Sequence, residues 1–255
     1  MKQEIVRTSK GSARDVSIYN VRQKKCWALA IEQLQPYLSK HVDWETISKE
    51  ELSKIIPLDK DYLYRCELPI QEISNGHKVQ TLEDILEMGK IKISGVNGNG
   101  DQYSIFFMYG VVQDSETGKI YGLLPLQSLR WLLNFGQKQM FVAFHKPSFL
   151  RLSSSYSMDL FLLLSENYNR GEFIISLENF KKRMNCPETY DAQAVQHRII
   201  EPALAEYKRK GSALSCVCEF FSSEVIRQMP GRRRLNMLKF TVLKVEDGKY
   251  YKSNE

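Results

Sequence analysis

The chain has 255 residues, of which 43% are hydrophobic and 26% are charged. This is an ordinary globular composition, and the length suits one large domain or two modest ones that each bury a core. Lysine and arginine outnumber aspartate and glutamate by 36 to 30, which gives a net charge of +6. That excess permits a polyanionic partner without requiring one, so a nucleic-acid function has to be argued from where the charges lie.

The cysteines and the apolar runs bear on the compartment. Five cysteines form an odd, scattered set, and the first 15 residues lack the apolar segment of a secretory signal. No run approaches the ~20 apolar residues that are needed to cross a bilayer. We therefore expect a cytoplasmic protein with reduced thiols and no membrane partner.

The first half of the chain predicts helices followed by strands. Residues 1–15 are polar and basic, and we interpret them as a flexible arm. Apolar spacing and turn residues then predict the following elements in chain order: a helix from Asn20 to about Ser39, a short helix with a Ser48/Glu51 capping box, a short edge strand or irregular segment within Tyr62–Ile70, a helix from Thr81 to Met88 with Leu82, Ile85 and Leu86 inward, strands over Ile91–Ser94, Gln102–Val112 and Lys119–Leu124, and a helix over Pro125–Asn134.

The second half repeats this order of elements. It predicts a helix over Ser155–Tyr168, a strand over Phe173–Ser176, a helix over Leu177–Met184, a long helix from Thr189 or Asp191 to Lys210, and two strands, Leu214–Val225 and Leu235–Val245. Helices followed by a two-stranded hairpin are the winged form of the helix-turn-helix. We predict an α+β fold of tandem, pseudo-symmetric winged-helix domains over residues 16–145 and 146–246, with a tail over 247–255.

Catalytic and metal-binding motifs are missing from the sequence. The four histidines are isolated, and neither HExxH nor a phosphate-binding P-loop occurs. The run Gly95–Gly100 lies between strands rather than before a helix, where phosphate is usually bound. Cys216 and Cys218 have no second pair at metal-ligand spacing and fit buried thiols better; Asp59 and Asp61 fit a solvated turn. We expect no cofactor, no metal and no enzymatic activity.

Basic side chains in the second half suggest where an anion could bind. The run 208–210 is explained as well by the helix dipole as by a ligand, because cations favour a helix C-terminus. Three adjacent arginines in the hairpin loop, 232–234, do not stabilise a hairpin tip. A wing that lies along DNA phosphates would use them.

The long helix is predicted to have one apolar and one polar face. Val195, Ile199 and Tyr207 recur on the apolar side. Glutamine can pair with adenine, arginine with guanine, and alanine can contact the thymine methyl group, so the polar side suits a recognition helix. A plain amphipathic helix is the alternative, favoured by the acidic Glu188, Asp191 and Glu201. Pro202 removes a backbone hydrogen bond and should kink the helix.

Three segments of the second half carry a family resemblance. They are residues 149–161 (FLRLSSSYSMDLF), Tyr190 with 198–203 and Glu206, and Gly231-Arg232 followed by Phe240. In order, these resemble the "L-x-S-x-Y-S-x-x-L-Y" helix opening, the "Y…vl-x-pa-x-x-E" recognition helix and the "G-R…I-x-F" wing of the replication-initiator (Rep) proteins of iteron-containing bacterial plasmids. The first half resembles the family's other winged helix through element order and the helix around Trp131.

The resemblance implies a replication initiator that binds tandem origin repeats (iterons) in double-stranded DNA, opens the origin and recruits host helicase and initiator proteins. It also implies a homodimer, formed through the first domain, that is in equilibrium with the monomer and represses its own gene. The alternative that remains open is a winged-helix transcriptional repressor with no role in replication.

The resemblance also adds to the candidate site. Residues 196–198 occupy places where relatives hold a basic triplet that faces DNA, and Arg232 occupies the place of the wing arginine. The candidate DNA-binding residues are Lys181, Lys182, Arg183, Thr189, Tyr190, Gln193, Ala194, Gln196, His197, Arg198, Arg232, Arg233 and Arg234.

Overall fold

The computed structural model describes residues 5–38, 42, 47–74, 76–96, 102–133, 141–221, 236–246 and 249–252. The chain divides into two compact units, residues 1–143 and 144–255, whereas the sequence placed the division between 145 and 146. Among the described residues, no helix has both the length and the apolar character needed to cross a membrane.

The first unit combines short helices with antiparallel strands. The strands Tyr64–Glu67, Ile120–Leu124 and Gly110–Gln113 form a sheet in that order, and the strands Lys92–Val96 and Gln102–Phe106 form a separate hairpin. The core is built around the helix Val21–Leu34, whose Trp27 is completely buried. The elements are β1 (Ile5–Ser9), α1 (Lys10–Asp15), α2 (Val21–Leu34), α3 (Lys49–Ser53), β2 (Tyr64–Glu67), α4 (Ile70–Ser74), α5 (Lys78–Met88), β3 (Lys92–Val96), β4 (Gln102–Phe106), β5 (Gly110–Gln113), β6 (Ile120–Leu124) and α6 (Leu126–Leu133).

The prediction of a flexible arm over residues 1–15 is wrong for residues 5–15. Val6 is fully buried, and the Ser9 hydroxyl donates a hydrogen bond to the Trp131 carbonyl at 2.8 Å. The Ser12 hydroxyl accepts one from the Trp27 indole, also at 2.8 Å. The segment is too short to show an apolar period, and distant residues supply the contacts that order it.

Three further expectations for the first unit need correction. The Ser48/Glu51 capping box is confirmed. The helix α5, however, begins at Lys78, so Thr81 lies inside it and donates its hydroxyl to the His77 carbonyl instead of capping the helix. Leu86, expected in the core, is 53% exposed. The predicted strand over 102–112 is two strands, because the chain between β4 and β5 turns to bury Phe107 and Met108.

The second unit is a winged helix. The strand Leu214–Phe221 runs along one side of the strand Met237–Glu246, and the strands Glu172–Ser176 and Lys249–Lys252 share the other side, all antiparallel. Phe180 and Phe240 stack at 5.6 Å between ring centroids where the sheet meets the helices. The elements are β7 (Phe141–His145, which crosses from the first unit), α7 (Lys146–Arg151), α8 (Ser155–Glu166), β8 (Glu172–Ser176), α9 (Leu177–Arg183), α10 (Ala192–Val195), a π turn (Gln196–Ile200), α11 (Glu201–Lys210), β9 (Leu214–Phe221), β10 (Met237–Glu246) and β11 (Lys249–Lys252).

The C-terminal tail predicted over 247–255 contains a strand. β11 pairs with the end of β10, with Leu243 opposite Lys252. The strand is only four residues long and exposed throughout, so no apolar alternation marked it in the sequence.

Candidate nucleic-acid interface

A helix-turn-helix is formed by α9 and the continuous helix made of α10, the π turn and α11, here called the long helix. Ser176 caps α9 by accepting from the Asn179 amide at 3.2 Å. Asp191 caps the long helix by accepting from the Ala194 amide at 2.8 Å, so the helix begins after Asp191 rather than at Thr189. Both caps satisfy amides that would otherwise lack a partner.

The turn between these helices is held by Lys181. Its ammonium group donates to the carbonyl groups of Glu188 and, at 3.2 Å, Tyr190. Lys181 therefore fixes the entry of the long helix, and this is a contact within the fold rather than a free cation.

The first turns of the long helix present a polar face to solvent. Val195, Ile199 and Ile200 are completely buried on the opposite side, while Gln193 and Arg198 are exposed. His197 is exposed, and Ala194 is half-buried at the margin of the polar face. The amphipathic pattern predicted from the sequence therefore lies with its polar side outward.

Arg198 is held by Tyr190. The guanidinium carbon lies 5.2 Å from the centre of the tyrosine ring, and Nη1 donates to the Tyr190 hydroxyl at 3.4 Å. This cation–π contact and hydrogen bond hold the guanidinium in place, and the group has further N–H donors for a ligand. Two of the predicted DNA-reading side chains thus act as one unit.

Glu201 lies at the centre of a second polar cluster, formed with Gln196 and His197. Its carboxylate accepts from Gln196 Nε2 at 3.0 Å and lies 2.8 Å from His197 Nδ1. The hydrogen bonds from His197 and then Gln196 hold the pKa of Glu201 below its ordinary value. Sequence reasoning assigned Glu201 no contact of this kind. The signal that could have found the contact with His197 is its i,i+4 spacing, since side chains four residues apart are neighbours on a helix.

The basic residues at the end of α9 are not equivalent. Lys182 is exposed and pairs with Glu178 at 2.8 Å. Arg183 is a correction to the predicted site, because its side chain is only 8% exposed and lies 4.0 Å from Glu166. The sequence predicted an exposed basic run at the end of α9. The last residue of α9 points inward instead, so Arg183 is not part of the candidate interface.

Of the wing, the structure describes only the two strands, β9 and β10. β9 and β10 pair from Met237 opposite Phe221 to Lys244 opposite Leu214. Arg232, Arg233 and Arg234 lie outside the described residues, so their predicted phosphate contacts remain predictions. Thr189 lies exposed in the turn before the long helix.

Glu206 joins the long helix to the beginning of α8. Its buried carboxylate accepts from the Ser153 amide at 2.7 Å, the Ser153 hydroxyl at 2.5 Å and the Ser154 amide at 3.3 Å. Burial raises the pKa of Glu206, but these hydrogen bonds outweigh it and the net pKa is lowered. The next residue, Tyr207, donates to the Ser157 carbonyl at 2.6 Å. These hydrogen bonds fix the long helix against the start of α8, and so they hold the polar face of the long helix in place.

No family model and no curated protein matches the chain. Among solved structures, it is similar to the crystal structure of the Pi initiator protein in complex with iteron DNA, with a TM-score of 0.64 at 17% sequence identity. The fold is that of the Pi initiator protein. The match covers 97% of this chain and 100% of the Pi initiator chain, and it confirms the predicted α+β fold of tandem winged helices.

Proposed function

We propose that the chain is a sequence-specific double-stranded DNA-binding protein that initiates plasmid replication by binding repeated origin sequences. The observation that carries this proposal is the exposed polar face at the start of the long helix, in a helix-turn-helix whose opposite face is buried. This is the face that a winged helix presents to the major groove.

The residues of that face suit base reading. Arg198, already held by Tyr190, has the planar fork that pairs with the two acceptors of guanine. Gln193 can pair with adenine, and the methyl group of Ala194 can contact thymine. Lys182 and the arginine-rich wing loop would supply phosphate contacts that set the register.

The replication role is supported by the likeness to the Pi initiator protein, whose crystal structure contains iteron DNA. By this proposal the protein opens the origin and recruits host helicase and initiator proteins. A dimer formed through the first unit, in equilibrium with the monomer, represses the protein's own gene. Each step uses binding energy and breaks no covalent bond.

The test is selection of bound sequences from random DNA, followed by footprinting of those sequences where they occur in a plasmid origin. We expect protection of several direct repeats spaced by about two helical turns, which places successive copies on one face of the duplex. Protection of one inverted repeat would favour the transcriptional repressor instead. Absence of any selected sequence would contradict DNA recognition, and nicking of supercoiled DNA would contradict a purely binding role.

A further inference from the structure

Pro202 changes which side chains share a face of the long helix. Proline has no N–H to offer the carbonyl of residue 198 and crowds that carbonyl. The five residues 196–200 form a π turn, in which the Glu201 amide donates to the Gln196 carbonyl. At about 100° per residue, positions five apart on an α-helix are roughly 140° apart, whereas a π turn brings them closer together. Glu201 meets His197 through the ordinary i,i+4 spacing, and the π turn adds its contact with Gln196.

The carboxylate of Glu201 determines where the imidazole proton lies. An ionised carboxylate only accepts hydrogen bonds, so Nδ1 of His197, 2.8 Å away, must carry a proton. In the neutral imidazole the other nitrogen, Nε2, is then an acceptor. The side chain is 57% exposed, and Nε2 is available to a ligand at the polar face.

Gln196 supports Glu201 from the other side. Its Nε2 donates to Glu201 at 3.0 Å, while its Oε1 is buried and has no hydrogen-bond partner among the described residues. A reversed amide would place the Gln196 oxygen against the carboxylate. The side-chain amide of Gln196 therefore donates to Glu201 and orients its carboxylate. Gln196 does not contact a base.

We propose that Glu201 is a specificity-determining positioning residue, which fixes His197 in the Nδ1–H tautomer so that Nε2 accepts a hydrogen bond from a base amino group. In the major groove the amino groups are adenine N6 and cytosine N4. This inference rests on the proposed function, because it assigns one position of the DNA-reading face. Glu201 acts through His197 and makes no base contact of its own.

The first test needs no DNA. Histidine-selective nitrogen NMR of the full chain, at a pH where the imidazoles are neutral, should show Nδ1 of His197 protonated and Nε2 bare. Glu201→Ala should give a mixture of the two tautomers, while His145, whose Nδ1 lies 2.8 Å from the Ser148 hydroxyl, serves as an unaffected reference. An Nε2–H tautomer in the unsubstituted chain, or the same tautomer in both proteins, would overturn the proposal.

The second test measures base preference. With every base pair of the selected sequence varied in turn, His197→Ala and Glu201→Ala should each lose about fivefold of the preference at the same base pair, the value of one net hydrogen bond. The double variant should lose no more, because both changes remove one interaction. Glu201→Gln retains an acceptor for His197 and should keep most of the preference. Glu87→Ala, an equal change of charge in the first unit, should keep all of it.

The outcomes separate this inference from the function on which it rests. If Glu201→Ala changes affinity for all bases equally, Glu201 acts only as a charge, and the inference fails while DNA recognition stands. If the unsubstituted chain selects no sequence, both fail. If the tautomer is fixed but His197→Ala leaves every base preference intact, the base assignment is wrong.

Discussion

At the scale of single residues, Arg198 is organised before any DNA is bound. The contact with Tyr190 restricts a long side chain that would otherwise lose rotamer freedom on binding. Arg198→Ala should weaken binding to the selected sequence by about 1–3 kcal/mol and relax the preference at one base pair. Competition binding against singly substituted sequences measures both effects.

The matched control for Arg198 lies on the same helix. Arg209 is 68% exposed near the other end, so Arg209→Ala removes the same charge far from the proposed reading face. It should leave the base preference unchanged. If Arg198→Ala also leaves the preference unchanged, the reading face has been assigned to the wrong residues.

Glu206 predicts a pH dependence of stability. Because its folded pKa lies below its ordinary value of 4.5, the stabilisation from the carboxylate is complete above that value and is lost as the pH falls through the folded pKa. Denaturant unfolding at a series of acidic pH values should show this loss, and Glu206→Gln should flatten it. Glu206→Ala should lower the free energy of unfolding at neutral pH by about 2–3 kcal/mol. An unchanged slope in Glu206→Gln would contradict this role.

At the scale of elements, the end of the long helix depends on Gly211. The residue has φ of +61° and ψ of +53°, the left-handed conformation that side chains disfavour. A Cβ added there would meet no atom within 4 Å, so backbone strain is the whole cost of substitution. Gly211→Ala should lower the free energy of unfolding by about 1 kcal/mol, measured by denaturant titration. A loss several times larger would mean that the glycine also serves packing.

The long helix was predictable because every signal for it is local. Asp191 caps it, Val195 and Ile199 give it an apolar period, and Gly211 ends it. Residues 5–15 carry no such signals, because their order comes from Trp27 and Trp131, both distant in sequence.

The candidate site was predictable at the level of its helix but not of its contacts. A kink at Pro202 follows from proline chemistry, but whether the helix bends or widens into a π turn depends on how the neighbouring turns pack. The inward turn of Arg183 toward Glu166 likewise needs the tertiary structure, since the two residues lie on different helices.

At the scale of the whole molecule, the net charge of +6 is too small to account for the proposed DNA binding by itself, so the location of the cations matters. Each phosphate contact should contribute about 0.9 to the slope of log affinity against log salt. Lys182→Ala and Arg232→Ala should each reduce that slope by about this amount and weaken all sequences equally. Binding titrations at several salt concentrations provide the measurement, and an unchanged slope would remove that residue from the phosphate contacts.

The two-unit organisation was predicted from a repeated order of elements, with little residue identity between the copies. Such order survives because helix and strand periods are set by burial, which many different residues satisfy. The same reason allows the chain to share a fold with the Pi initiator protein over 97% of its length at 17% identity. Side chains that would read bases are not determined by burial, so a shared fold does not predict them. Their roles are tested by substitutions in this chain.

The most direct test places a photo-crosslinking amino acid at Gln193, on the exposed face of the long helix, and irradiates the complex with the selected DNA at saturating protein. The same amino acid at Arg209, near the opposite end of that helix, is the control. We expect crosslinks from position 193 to bases inside the footprint and none from position 209. Bound DNA that crosslinks from position 209 and not from position 193 would contradict this expectation.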